Sequence, residues 1–431
     1  MDITRTLAGW LADLVMRGPS GEARATLTFG EDGSPSLLVV TTPTKGKSRE
    51  KVHTPKRFQP ELAEWATTHL VDKALLDLMA KGFVGKAADP RGSHGLSLLL
   101  GTEIGPPMGA AFAVDEARNI AWLGDWGFLR KVDLLTGLVT SLSLGDYPAV
   151  REMRIGPDGA VWLLADRDTE KPEGPYRAPA GPKVAFGVLR MGADSPFAPG
   201  AIEERLVVSV PRNAAPRICT VLSLARDGAM LVPDEEGFAH LRKDGTLVKT
   251  YASAMMTHGG AVAALSPDGR TIAVTSAVGR IDVHDVKSGS IRTEKLDMDD
   301  ASSLVVHDDG TVDVGTRGPD HHFHRIPAKG ATLTVPDRAA HYTAAPPGSD
   351  RPFVYAAMDG ALTQFKLSGE SEAIYPVIGG SRGSRVFLGK NDIYVHTARG
   401  VLMRIGMTPS AGEADAVADA PRTQRSIPEV V

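Results

Sequence analysis

Residues 261–289 read AVAALSPDGRTIAVTSAVGRIDVHDVKSG, and this stretch decides the fold. It opens with an apolar run, Ala261–Leu265, and turns at Ser266-Pro267-Asp268-Gly269. The run Thr271–Ser276 follows, then a break at Gly279, then Arg280–Val286 and a second break at Ser288-Gly289. A fourth run, Ile291–Leu296, completes the unit. Each run has the length and β-branched content of a strand, and each gap carries turn residues.

The first turn of this unit recurs along the chain. Turn aspartates stand at Asp227, Asp268, Asp309 and Asp350, and Asn391 takes the next place, each step being 41 residues. Upstream, Asp158 and Asp115 occupy the same position 43 residues apart. The step from Asp158 to Asp227 is 69, which marks an insertion of 28 residues. The second turn keeps time through Gly127, Gly237, Gly279, Gly318, Gly360 and Gly400. The third does so through Thr136-Gly137, Asp244-Gly245, Ser288-Gly289, Lys329-Gly330 and Ser368-Gly369. Four-stranded units at a period near 40 residues are the expected signature of propeller blades. The expected fold is therefore mainly β, a seven-bladed β-propeller over 95–407 with a small N-terminal α+β module.

Ring closure makes a specific demand on this chain. The last unit offers strands at Ser384–Leu388, Asp392–Thr397 and Val401–Met407, and no fourth strand follows. The leucine-rich run Gly95–Gly101, just ahead of the first unit, is expected to pair with Val401–Met407 as a clasp. Residues 408–431, rich in Ala, Pro, Glu and Asp, read as a disordered tail.

The unit running from His258-Gly259 through Ser266-Pro267-Asp268-Gly269 and Ile272-Ala273-Val274 to Ile281–Asp285 resembles a WD repeat. His284-Asp285 stands where that family has Trp-Asp, and no Asp precedes Gly279. The other units keep the turns without the dipeptide, as in divergent bacterial propellers. The resemblance implies a rigid platform for protein assembly, which is an inference from fold alone.

The rest of the chain supplies the N-terminal elements. Ile3, Leu7, Trp10, Leu11, Leu14 and Val15 recur at helical spacing, so residues 1–20 are expected to hold an amphipathic helix docked on the protein. A helix lying on a membrane is the alternative, although its polar face is poor in Lys and Arg. Residues 21–88 read as a hairpin, Glu22–Phe29 with Pro35–Thr42, then a basic loop, then a helix over Pro60–Lys81 ended by Gly82. That order, ending Met79-Ala80-Lys81-Gly82-Phe83-Val84, resembles the tail of WGR-type modules, although the Trp-Gly-Arg tripeptide is absent.

Composition bounds the chemistry. The net charge of −4 gives no global attraction to nucleic acid. The single cysteine, Cys219, excludes an internal disulfide framework, suits a reducing, cytoplasmic setting and reads as a buried inert thiol. The chain has no nucleophile elbow, no His-Glu-x-x-His pair and no dinucleotide fingerprint. Gly46-Lys47-Ser48 lacks the upstream glycine of a P-loop. No cofactor is expected, and the expectation is a non-enzymatic, protein-binding scaffold.

Candidate contacts follow from the topology. In a propeller, turns between second and third strands emerge on the same face as the blade-to-blade connections. The insertion, roughly Arg167–Pro182, is such a turn in the second unit and carries Arg167, Tyr176 and Arg177. Long loops on rigid scaffolds are disproportionately functional. The same face receives Trp126, His258, Arg317, Arg382 and Arg399, and aromatic and arginine side chains are favoured interface anchors. The alternative for Trp126 is packing against a neighbouring blade, and for the insertion a tolerated excursion. Asp320-His321-His322-Phe323-His324 puts His322 and His324 on one strand face, but two imidazoles fall short of a zinc site, so no metal is expected and a solvated strand is read instead. The loop 45–57 carries Lys45, Lys47, Arg49, Lys51, Lys56 and Arg57, which offers phosphate contacts as a nucleic-acid alternative. A hydrolase or lyase holding a metal in the channel is the third reading.

Overall fold

A computed structural model describes residues 3–88, 95–101, 111–167, 183–211, 221–255, 261–297, 300–317, 322–335, 342–343, 354–358, 361–365, 371–378, 385–389, 392–397 and 399–406. The chain is a β-propeller with a short N-terminal helix. Among the described residues, six antiparallel sheets of four strands span 111–143, 150–211, 223–252, 263–295, 300–335 and 342–376. The strands Arg385–Leu388, Asp392–His396 and Val401–Gly406 begin a seventh sheet.

The turn aspartates that mark the repeat have a local physical role. The side-chain Oδ1 of Asp158, Asp227, Asp268 and Asp309 each accepts a hydrogen bond from the backbone N–H two residues on, at 3.1, 2.9, 3.0 and 2.8 Å. Such Asx turns reverse the chain within four residues. The glycine after each aspartate sits at φ +72, +89, +74 and +81°, a region that disfavours any side chain. Asp350 and Asn391 lie outside the described residues.

Burial follows position within a blade. In the fourth sheet, Ile272, Ala273, Val274 and Thr275 are all buried, because neighbouring sheets cover both faces of that strand. The outer strand Ile291–Lys295 alternates exposed and half-buried residues. Apolar clusters join the first sheet to the second, the second to the third, the third to the fourth and the fourth to the fifth. Strands of the fifth sheet contact the first strand of the sixth. Phe112 and Val114 of the first sheet then pack on Tyr394 and Leu402 of the seventh, so the stack closes on itself.

The clasp forms as the strand count demanded, and it extends further. Here α1 is Ile3–Asp13, β1 Val15–Gly18, β2 Gly21–Phe29, β3 Pro35–Pro43, β4 Arg49–His53, α2 Ala63–Met79, β5 Val84–Ala88 and β6 Gly95–Gly101. Strand β6 pairs antiparallel with Val401–Gly406, in a register that places Leu402 opposite Leu100 and Ile405 opposite Leu96. Its other edge pairs with β5, and the sheet continues through β1, β2 and β3 to β4, nine strands in all. The N-terminal module is thus a continuation of the closing blade.

Three expectations are corrected here. The first helix ends at Asp13, and Val15, placed on its stripe by spacing, opens β1. The Gly18–Gly21 turn folds the chain back, so β1 gains hydrogen-bonded partners on both sides, β2 and β5. The basic loop contains a strand, because Arg49–His53 finds the free edge of β3. Its side chains stay exposed, apart from half-buried His53. The third correction is that the Pro60–Lys81 helix is a 3-10 turn, Pro60–Leu62, followed by α2. Gly82, at φ +82°, terminates it, with the Phe83 N–H reaching back to the Leu78 carbonyl at 3.1 Å.

One core unites module and ring. Leu7, Trp10, Leu11 and Leu14 are buried with Leu70, Val71 and Leu75 of α2, with Tyr375 of the sixth sheet and Val377 just after it, and with Val395 and Met403 of the seventh. Each such side chain stabilises the junction by roughly 1.5–3 kcal/mol.

Candidate functional site

The described part of the expected binding face is ordered by hydrogen bonds between its turns. The Leu144 N–H reaches the Gly127 carbonyl at 2.8 Å, tying the second-to-third turn of the first sheet to the connection that leaves that sheet. The Asp166 N–H reaches Ala149 O, also at 2.8 Å, tying that connection to the root of the insertion. The insertion leaves the second sheet after Val161–Asp166 and returns at Lys183–Met191, and residues 168–182 lie outside the described residues.

At the root stands a bracket of three side chains. Tyr147, from the inter-sheet connection, lies against Gly187, where an added Cβ would come within 2.5 Å of its ring. Its hydroxyl donates to Glu204 Oε2 on the fourth strand of the second sheet. Arg167 Nε lies 3.1 Å from the same oxygen, and the Arg167 N–H donates to Ala185 O at 2.9 Å. Burial, then the hydrogen bond to Glu204 and its charge, pushes the Tyr147 phenol up to about 12. The phenol is therefore a neutral, fixed donor at physiological pH. One residue behind the bracket, Arg151 holds Asp166 with Nε 2.7 Å from Oδ1.

Gly127 lies next to the backbone of the bracket's loop, an added Cβ there coming 4.0 Å from the Tyr147 carbonyl oxygen, and its two chain neighbours are aromatic. Trp126 is 55% exposed and Phe128 43% exposed, on either side of Gly127, whose φ of +70° makes the turn. Trp126 is thus more than half open to solvent. The arrangement presents apolar rings beside a rigid, charged anchor, which is the composition of a protein-binding hot spot.

The other sequence-derived candidates are dispersed. Arg399 is exposed in the turn before Gly400, in the seventh sheet. Arg317 ends the strand Val312–Arg317, opposite Asp300 in register. Tyr176, Arg177, His258 and Arg382 lie outside the described residues, as do Cys219 and the tail 408–431. Lys45, Lys47, Arg49, Lys51, Lys56 and Arg57 are all exposed. Arg49, Lys51 and His53 share one face of β4, opposite Thr41, Val39 and Leu37. Burial, then the Lys51 ammonium, lowers the His53 imidazole below its usual range.

The expectation of a solvated strand at His322–His324 is corrected. His324 is buried at 2% exposure, because the neighbouring sheet covers that face of the strand. Among the described residues no group of three or more His, Cys, Asp or Glu is placed to hold a metal ion, and no helix is long and apolar enough to cross a membrane. Sequence reasoning missed Tyr147 and Glu204, which are 57 residues apart and carry no motif. Phe128 was missed because a strand-opening Phe looks like core.

No protein-family profile matches the chain, and no curated protein matches it in sequence. Solved structures do match in shape. Virginiamycin B lyase from Staphylococcus aureus aligns with a TM-score of 0.51 at 13% identity, over 73% of this chain and 99% of that one. A chain of the mitotic checkpoint complex aligns at 0.50 and 12%, over 72% of this chain and 90% of that one. The β-propeller domain of Cps50 (Swd1) from Myceliophteria thermophila aligns at 0.50 and 11%, over 73% of this chain and all of that one. At such identities the likeness establishes the β-propeller fold and nothing about activity.

Proposed function

We propose that this chain is a seven-bladed, non-enzymatic propeller platform that binds a protein partner within a larger cytoplasmic assembly. The WGR-like reading of its N-terminal segment belongs to the same proposal, with that segment as a second contact surface. The observation that carries the reading is the rim where exposed Trp126 and Phe128 stand beside the Arg167–Glu204–Tyr147 bracket. Fixed polar side chains cost little entropy on binding, and exposed aromatic rings gain most from being covered. The checkpoint and Swd1 likenesses are compatible with such a role, and the lyase likeness keeps an enzymatic rival in view.

The test is co-purification of the tagged chain from its native host, comparing wild type with Trp126→Ala and Arg167→Glu. A partner should be depleted by both substitutions and should then bind the purified chain directly. Equal recovery with all three proteins, or turnover by the purified chain with no partner present, would overturn the reading.

A nucleic-acid role has one observation in its favour, the exposed row of Arg49 and Lys51 on edge strand β4. Phosphate contacts weaken steeply with salt. Steeply salt-dependent binding of a generic duplex, lost in Arg49→Glu/Lys51→Glu, would favour this second reading.

A further inference from the structure

The sheet that closes the ring ends on β4, which among the described residues pairs only with β3. Residues 49–52 are all exposed, Val52 to 61%, so the outer edge of this strand stands open among the described residues. An edge strand points every second N–H and C=O sideways, which is a template for one more strand.

The side chains of this edge are sorted by face. Arg49, Lys51 and His53 stand opposite Thr41, Val39 and Leu37, and Val39 and Leu37 are buried in the core that holds Leu70 and Val71 of α2. Arg49 and Lys51 therefore rise on the helix side of the sheet. Burial first, then Lys51, lowers the His53 imidazole, and Lys73 and Lys81 add to the effect against Asp77. Cations from the strand, the helix and the turn after it thus converge on one side of the edge. Among the described residues none of Arg49, Lys51, Lys73 and Lys81 makes an ion pair. On the other face exposed Val52 stands opposite half-buried Leu38, which leaves apolar surface at the rim of the sheet.

This sorting narrows the occupant. Alternate residues of a strand are about 7 Å apart, and an added strand lies about 4.8 Å away. Carboxylates at every second position of such a strand would stand across from Arg49 and Lys51, and the side chains between them would fall beside Val52. Opposite charges directly across a strand pair stabilise it, and like charges destabilise it. A second copy of β4 would meet this one cation to cation. A nucleic acid offers phosphates, which only accept, and would leave the outward carbonyls of the edge without donors. We propose that β4 is the docking edge for an extended partner segment with acidic residues at alternate positions and apolar residues between them, which joins the nine-stranded sheet as its next strand. The proposal rests on the reading of the N-terminal segment as a second contact surface and supplies the chemistry of its partner.

The test uses the purified full chain and a short, fluorescently labelled peptide of alternating glutamate and valine, read by anisotropy. A peptide of the same composition in block order is the control. The alternating peptide should bind saturably and at least tenfold more tightly than the block-ordered one. Arg49→Glu/Lys51→Glu should weaken its binding at least tenfold with the melting transition retained. Arg242→Glu/Lys243→Glu, an equal charge reversal in an exposed turn of the third sheet, should leave it intact. Two further peptides carry backbone N-methyl groups, one on its valines and the other on its glutamates. Only one edge of an added strand faces β4, so one of the two should lose binding and the other keep it. Should the Arg49→Glu/Lys51→Glu chain fail to fold, this pair decides. No saturable binding, equal binding of the two methylated peptides, or tighter binding of a generic duplex than of the alternating peptide would overturn the proposal. The rim test reads recovery of a partner and this one a synthetic peptide on the purified chain, so either reading can fail alone.

Discussion

Asp313 and Arg325 face each other inside the fifth sheet in a two-pronged ion pair, Nε to Oδ1 and Nη2 to Oδ2, each at 2.7 Å. They are cross-strand partners in register, and His307 Nε2 adds a third contact to Oδ2 at 2.9 Å. Asp313 is 1% exposed, so it is held by these contacts and not by water. Removing one partner of a buried pair leaves the other charge uncompensated. Asp313→Ala should therefore cost about 3–5 kcal/mol, whereas Asp313→Leu with Arg325→Met should be near neutral. Urea denaturation of the three proteins checks this.

Burial alone would raise the Asp313 carboxyl, but the hydrogen bonds and charges of Arg325 and His307 outweigh it and hold the group below its usual 3.8. Its stabilising contribution is present above the unfolded-state pKa and lost as pH falls through the folded one. His324 and His396 act at higher pH. Burial first, and neighbouring cationic or imidazole groups second, lowers each from 6.5 to about 4. The unfolded chain then binds more protons between these values, so stability should decline as pH falls from 6.5 towards 4. His396, with both ring nitrogens buried and unpartnered, is the residue to replace. His396→Leu should flatten the decline between pH 7 and pH 5, read as urea midpoints.

Trp10 ties the first helix to the ring, being 3% exposed in the core that also holds Tyr375 and Met403. Trp10→Ala should cost about 3–5 kcal/mol. Because β5 and Val401–Gly406 flank β6 in one continuous sheet, the loss should not stay local. Hydrogen exchange should quicken in 84–88 and 401–406 together. Quickening confined to 3–13 would mean that module and ring are energetically separate.

The rim bracket makes a spectroscopic prediction. Burial raises the Tyr147 phenol most, and Glu204 adds a hydrogen bond and a charge. Glu204→Gln should bring it down from about 12 towards 10, because the charge opposing phenolate is gone. Ultraviolet titration of tyrosinate absorbance measures it, with Tyr147→Phe identifying the signal. An unchanged titration would show that Glu204 does not hold the ring in solution.

How much of this was legible depends on how local each feature is. The turn aspartates were readable because Asp158, Asp227, Asp268 and Asp309 each bond a backbone N–H only two residues away. The clasp was readable by counting, since the last sheet was one strand short and Gly95–Gly101 was unassigned. The binding rim was readable only in part. Trp126 announced itself as an aromatic in a turn, but its exposure depended on where the connection to the second sheet runs. His324 looked solvated because strand alternation does not tell which face a neighbouring sheet will cover.

The amino-acid order by itself determined the repeat, its turns and the need for a borrowed strand, because these rest on backbone conformations set within a few residues. The three-dimensional arrangement alone decided that β5 would join β6 and make the N-terminal module part of the closing blade. It alone brought Tyr147, Arg167 and Glu204 onto shared atoms, and placed His322 and His324 against the strand ending at Lys295. Those meetings depend on how separate sheets stack, and stacking is settled by apolar burial summed over the whole ring, which no short stretch of residues encodes.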